Sequence, residues 1–174
     1  MTDALIGPPQ IAALLILLQR GAEEIYSARN TNALLDRGAR EEGGTYYPVV
    51  AVAHLSWIAS LFLLVPPDAP VSWPLIGLFL VLQGARYWVI GALGPYWTHR
   101  IITLDEAPVI EAGPYRYLKH PNYAITVAET LLLPSAFSAV ALALIMTAIW
   151  AAVLNYKIQL ENAALATRTK RVAE

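Results

Sequence analysis

The sequence predicts an all-α integral membrane protein of five membrane segments, the last two forming a helical hairpin with a short first arm. Three observations carry this. Hydrophobic residues make up 57% of the 174 and charged residues 14%, and the mean hydropathy is +0.49, which lies outside the range of soluble domains. The apolar residues are gathered into runs of membrane-spanning length. Lys and Arg avoid alternate connections between those runs, as the positive-inside rule requires. At about 20 residues per crossing there is room for one domain over residues 1–174 and for no second soluble domain. It divides into N-terminal spans (4–93), a cytoplasmic loop (94–122) and a C-terminal hairpin with its tail (123–174).

The first run, 4–18, is short and continues into Gln19, Arg20, Glu23 and Glu24; the three charges share one helical face, so the last turns are predicted to leave the lipid. A polar stretch over 27–46 follows. The second run, 49–65, carries His54. A proline-rich turn at 66–70 leads to the third run, 71–93, in which Gln83 and Arg86 must be hidden from lipid or lie near a surface. The long loop 94–122 comes next. From 123 to 154 the only acid is Glu129 and the only breaker is Pro134, a length too great for one span and too small for two. A hairpin fits, with a first arm over 123–133 that reaches only about 16 Å, roughly half of the hydrocarbon thickness. Its turn must be buried against protein, because exposed backbone is not tolerated in lipid.

Arg29, Arg37 and Arg40 lie in the first polar stretch, Arg100, Arg116 and Lys119 in the long loop, and Lys157, Arg168, Lys170 and Arg171 at the C-terminal end, whereas the N-terminal tail and the 66–70 turn have no cation. This predicts an N-terminus outside and long loops and a C-terminus in the cytoplasm. Residues 1–9 lack the basic region of a secretory signal, so no cleavage is expected. Cysteine is absent, which excludes disulfides, thiolate metal sites and cysteine nucleophiles; a net charge of -1 argues against nucleic acid as a partner.

Any chemistry must therefore come from His, Glu, Arg, Lys, Asn and Tyr. Glu129 is costly inside an apolar arm unless it is protonated, paired with an arginine such as Arg86, or functional. Arg86 is either its counterpart or an interfacial arginine reaching for headgroups. The run Gly113-Pro114-Tyr115-Arg116-Tyr117-Leu118-Lys119-His120-Pro121-Asn122-Tyr123 combines stiff backbone, flat aromatic faces and positive charge. It suits an aromatic base and a carboxylate, or else an anchoring belt at the interface. On the last helix Lys157 and Glu161 stand at i, i+4 near Asn155 and Asn162, four polar residues that could close a pocket. His54, His99 and His120 lie in separate segments without metal-ligand spacing, so no metal site is expected. There is no dinucleotide-binding glycine motif, no P-loop and no serine-hydrolase elbow.

These residues resemble the membrane-embedded isoprenylcysteine carboxyl methyltransferases. That family carries a signature of the form G-x-Y-x-x-x-R-H-P-x-Y and, after a hydrophobic hairpin, an Arg or Lys followed by two glutamates. Gly113, Tyr115, Lys119, His120, Pro121 and Tyr123 match the first part; Lys157, Glu161 and Asn162 match the second. The resemblance covers about 83–165. It implies S-adenosylmethionine as cofactor, in a pocket lined by Tyr115, His120, Pro121 and Tyr123, with Lys157, Glu161 and the adjoining Asn162 at its amino-acid end. It implies a substrate-facing Arg86 and matches the family's Asn-His to Thr98-His99. Lys119 and Lys157 stand for arginines, Asn162 for the second glutamate, and Ala124-Ile125 where a glycine usually follows. These departures bear on prenylcysteine specificity more than on the cofactor. Ser27-Ala28-Arg29-Asn30, residues 38–43, Tyr47-Pro48 and His54 are similar to a bacterial subgroup resembling enzymes that methylate hydroxyls of alkylpyrones and phenolic lipids, which implies a bacterial inner membrane and a substrate site with His54 beside His99.

The expected activity is methyl transfer to a carboxylate or hydroxyl oxygen of a prenylated or polyketide-derived lipid, with membrane lipid around it and no metal. Arg86 would position the acceptor oxygen and Glu129 would take its proton. The rivals are a phospholipid amine N-methyltransferase, a small transporter using Glu129 and Arg86 as a charge pair, and a scaffold that binds no S-adenosylmethionine.

Overall fold

The computed structural model describes residues 5–108 and 110–173, with side chains as far as 166. The first four residues of the N-terminal tail, part of the stretch for which no cleavage is expected, and the side chains of the tail cations Arg168, Lys170 and Arg171 lie outside what is described. Five helices run in sequence: α1 (Pro8–Asp36), α2 (Tyr47–Leu64), α3 (Trp73–Leu93), α4 (Pro121–Ala136) and α5 (Val140–Ala173). The first four each carry a proline in the opening turn, where its missing N–H has no intrahelical partner to lose.

Among the described residues three stretches are long and apolar enough to cross a membrane, Gly44–Leu64, Trp73–Tyr96 and Val140–Ala166. Their outward faces show bare Leu63, Leu80, Val81 and Ile145, as expected of an integral membrane protein bathed in lipid.

Two expectations need correction. The stretch over 27–46 is not a polar connection: α1 continues unbroken to Asp36. Its buried positions, Ala13, Ile16, Arg20, Glu23, Ser27, Asn30, Thr31 and Leu34, follow one another mostly at steps of three or four, so its apolar and polar halves present one continuous inner face. Nor is the fold purely α. Strands β1 (Arg40–Glu42) and β2 (Ile101–Thr103) pair antiparallel, Arg40 opposite Thr103, and tie the α1–α2 connection to the α3–α4 connection.

The two ends of the bundle differ. At one end the connections are tight: Gln10 of α1 donates through Nε2 to the carbonyls of Phe62 (3.0 Å) and Val65 (2.8 Å), and the Ser72 amide donates to the Ala136 carbonyl at 2.8 Å. Trp57, Leu61, Phe79, Leu133 and Phe137 pack the core near that end. Pro134 sits inside the last turn of α4 without ending it, and the chain reverses over 137–139 with Ser138 at φ 60. α4 is 16 residues long, about 24 Å, and lies between α3 and α5. Everything else, including the long loop, gathers at the opposite end.

Candidate active site

The inner face of α1 holds the start of the long loop. Asn30 Nδ2 donates to the carbonyls of Gly94 (3.1 Å) and Trp97 (2.8 Å), and Ser27 Oγ accepts the His99 amide at 2.8 Å. Lys157 of α5 donates to the His99 carbonyl at 2.9 Å. The His99 ring is fixed as well: Nδ1 meets Glu24 Oε2 at 2.7 Å, and the buried Trp97 packs edge-on at 4.7 Å between ring centroids. One loop residue is thus held by two helices through its backbone and by a carboxylate through its side chain.

The glycine that opens the motif run is required by its backbone. Gly113 adopts φ +54, and a Cβ there would come within 3.1 Å of Trp88 Nε1 and 3.3 Å of Ala92 Cβ on α3. Docked in this way, the run delivers His120 and Tyr123 with their rings stacked 5.2 Å apart and 8° from parallel. Tyr123 donates its hydroxyl to Glu161; His120 Nδ1 lies 3.5 Å from the same carboxylate, and Lys157 Nζ lies 3.8 Å from it and 5.2 Å from the Tyr123 ring centre. A cleft of about 230 Å³ opens here, lined by Tyr115, His120, Asn122, Tyr123, Lys157 and Glu161 and by the 97–103 segment. Burial lowers the His120 imidazole below its ordinary value, against the pull of Glu161, and raises the Tyr115 phenol, which favours the neutral form of each.

A second cavity, also about 230 Å³ and mostly apolar, lies between α1 and α2, lined by Leu17, Glu24, Tyr47, Val50, His54, Leu55 and Ile58. His54 packs its ring 4.3 Å from that of Trp150. His99 lines both cavities.

Four buried charges close a ring across α1, α3 and α4, and one of them, Arg20, also lines the second cavity. Arg20 bonds Glu23 at 2.6 Å and Glu129 at 2.9 Å; Arg86 bonds Glu23 at 2.8 Å and Glu129 at 3.4 Å. Gln83 Nε2 donates to the other Glu129 oxygen at 2.8 Å.

The sequence pattern of the isoprenylcysteine carboxyl methyltransferase (ICMT) family matches residues 75–167, from α3 through the motif run to Lys157 and Glu161. The chain belongs to this family. It is 32% identical over 155 residues to the uncharacterized protein YpbQ of Bacillus subtilis (strain 168), a match covering 87% of this chain and 92% of the relative. An uncharacterized protein of Haemophilus influenzae (strain Rd) is 26% identical over 144 residues, 80% of this chain and 84% of the relative. No solved structure matches.

Of the residues the ICMT resemblance points to, Tyr115, His120, Tyr123, Lys157, Glu161 and His99 meet at the first cleft. Pro121 lines a separate apolar groove with Trp88 and Val89, and Asn162 is exposed, accepting from Lys119 Nζ at 2.7 Å. His54 reaches only the second cavity. Arg86 and Glu129 find each other but line neither cavity. Glu24, Ser27 and Asn30, which fasten the His99 segment, were missed as partners. Their signal was the three-to-four spacing that carries the apolar face of α1 on through its polar half.

Proposed function

We propose that the chain transfers the methyl group of S-adenosylmethionine to an oxygen of a lipophilic acceptor at the cytoplasmic face of the membrane. One observation carries the reading: a polar cleft built from the ICMT motif and an apolar cavity between two helices share a single residue, His99.

The residues present suit the cofactor. His120 Nε2 and Asn122 Oδ1 are buried with no hydrogen-bond partner among the described residues, which is what a polar ligand would correct. The stacked His120 and Tyr123 rings offer a flat surface to a purine. Lys157 and Glu161 supply one charge of each sign for the two ends of an amino acid. S-adenosylmethionine brings a sulfonium methyl already activated for displacement. The task left to the chain is alignment, and holding nucleophile and carbon about 3 to 3.5 Å apart supplies several kcal/mol.

The α1–α2 cavity takes the acceptor, its tail along Leu17, Leu55 and Ile58 and its oxygen toward His99. Arg86 and Glu129 act by locking α1, α3 and α4 together through the ion ring rather than by touching the acceptor. In the membrane, the first half of α1 and the short α4 complete five segments. The cation-free tight end then faces outward, and the loop end, with Arg37, Arg40, Arg100, Arg116, Lys119 and Lys157, faces the cytoplasm.

The test is to incubate membranes containing the protein with methyl-labelled S-adenosylmethionine and to fractionate the lipid extract. Label in a neutral lipid that survives mild base marks a methyl ether; methanol released by mild base marks an ester. Label confined to amine headgroups would identify a phospholipid N-methyltransferase. Failure of the purified protein to bind S-adenosylmethionine in calorimetry would remove the enzyme reading altogether.

A further inference from the structure

The feature that methyl transfer as such does not account for is the attachment of Glu24 to His99. A carboxylate acceptor is ionised at neutral pH and needs no base, whereas a hydroxyl has a proton to lose. We propose that Glu24 and His99 form a carboxylate–imidazole dyad that removes this proton from a hydroxyl acceptor. The inference rests on the reading of the chain as a methyltransferase.

The geometry is that of a positioned base. His99 Nδ1 lies 2.7 Å from Glu24 Oε2, so the ring N–H is donated there and the lone pair is left on Nε2. Nε2 is shielded from water and has no hydrogen-bond partner among the described residues. The residue cannot drift, because Ser27 holds its amide and Lys157 its carbonyl. His99 is also the residue common to both cavities, where acceptor and methyl group must meet. Glu24, itself 42% exposed, is the positioning residue; His99 is the catalytic one.

The surrounding charges agree with a ring that is neutral at rest. Glu23 and Glu24 face it from α1 and Lys157 from α5, while Arg86 acts from α3 and His54 from α2. Tyr47 and Arg100 bear on it through Glu24. Burial lowers the His99 imidazole below its ordinary value, Glu24 opposes this, and Arg86 and Lys157 reinforce it. During transfer a bond forms between the acceptor oxygen and the methyl carbon. The electron pair of the broken carbon–sulfur bond stays on sulfur, leaving a neutral thioether, and the hydroxyl proton moves to Nε2. The resulting imidazolium is stabilised by Glu24 and returns its proton to water after product leaves.

The experiment uses the full-length protein in detergent with S-adenosylmethionine and a long-chain alkylphenol. The wild-type rate should fall as pH drops through the His99 pKa, below the usual imidazole value. H99Q keeps the backbone contacts and should lose about 10² or more in kcat, the size of a missing general base, with cofactor affinity by calorimetry nearly unchanged. E24Q should lose less and should move the acid limb to lower pH, because removing an anion disfavours the imidazolium. Nitrogen-15 histidine spectra without any substrate should show the same downward shift of the His99 titration in E24Q and a loss of its single Nδ1–H tautomer. A wild type that binds S-adenosylmethionine but does not methylate the alkylphenol overturns the dyad and leaves the methyltransferase reading standing. So does an H99Q enzyme with unchanged rate and pH profile, or one whose turnover returns at saturating S-adenosylmethionine. A wild type that binds no S-adenosylmethionine overturns both.

Discussion

Glu129→Gln distinguishes the two roles that an acid at this position can have. In the ion ring Glu129 is 1% exposed and neutralises Arg20 and Arg86, with Glu23 as the only other anion. Charge centres about 4 Å apart attract by about 4 kcal/mol at an effective dielectric of about 20, so its two contacts amount to about 8 kcal/mol. Removing the charge also removes its desolvation penalty, several kcal/mol, which leaves a net loss of about 3–5 kcal/mol, as is usual when one partner of a buried pair is deleted. On the scaling for a chain of this size the melting temperature of the detergent-purified protein should drop by about 10 °C. A control separates charge imbalance from packing: Arg20→Met combined with Glu129→Leu leaves the Arg86–Glu23 pair whole and should recover most of the loss. If Glu129→Gln instead melts like the wild type, binds S-adenosylmethionine and loses about 10² in turnover, Glu129 is the proton acceptor and the assignment of His99 is wrong.

Three further expectations concern the cleft and the orientation. Glu161→Gln turns the charged acceptor of the Tyr123 hydroxyl into a neutral amide oxygen and removes the anion beside Lys157, so S-adenosylmethionine affinity should fall by about tenfold or more in calorimetry, the loss of a charge-assisted bond. Gly113→Ala must hold φ +54 and push on Trp88; a cost of about 1–2 kcal/mol from the backbone alone should appear as a lower melting temperature together with weaker cofactor binding, because the motif run no longer seats on α3. A single cysteine placed at Asp105 in this cysteine-free chain should resist a membrane-impermeant thiol reagent in intact cells and react after lysis; ready labelling beforehand would reverse the orientation.

How far the molecule could be read from its residues depended on the range of the interactions. The three long apolar stretches and the Gly113–Tyr123 run are local signals, and the resemblance to the ICMT family implied one pocket for that run, Lys157 and Glu161, which do line one cleft. Arg86 and Glu129 could be paired because the apolar segments offered so few other candidates. Arg20 and Glu23 were noticed on one face and then assigned to the water side, since a charge near a helix end reads equally well as leaving the lipid or as meeting a partner inside the protein. That ambiguity also hid the second half of α1. The β1–β2 ribbon is three residues per strand, too short to carry a period. The Glu24–His99 contact joins residues 75 apart across a connection that the sequence does not fold, so only the fold could supply it.

The ammonium of Lys157 already has one of its three N–H groups committed to the His99 carbonyl. Two remain for an incoming carboxylate. On the proposed reading the residue that receives the donor molecule is therefore also the anchor of the segment that faces the acceptor, and a guanidinium, planar and forked, could not divide itself between those directions in the same way. In the proposed function, one nitrogen both receives the contents of one chamber and steadies the wall of the other.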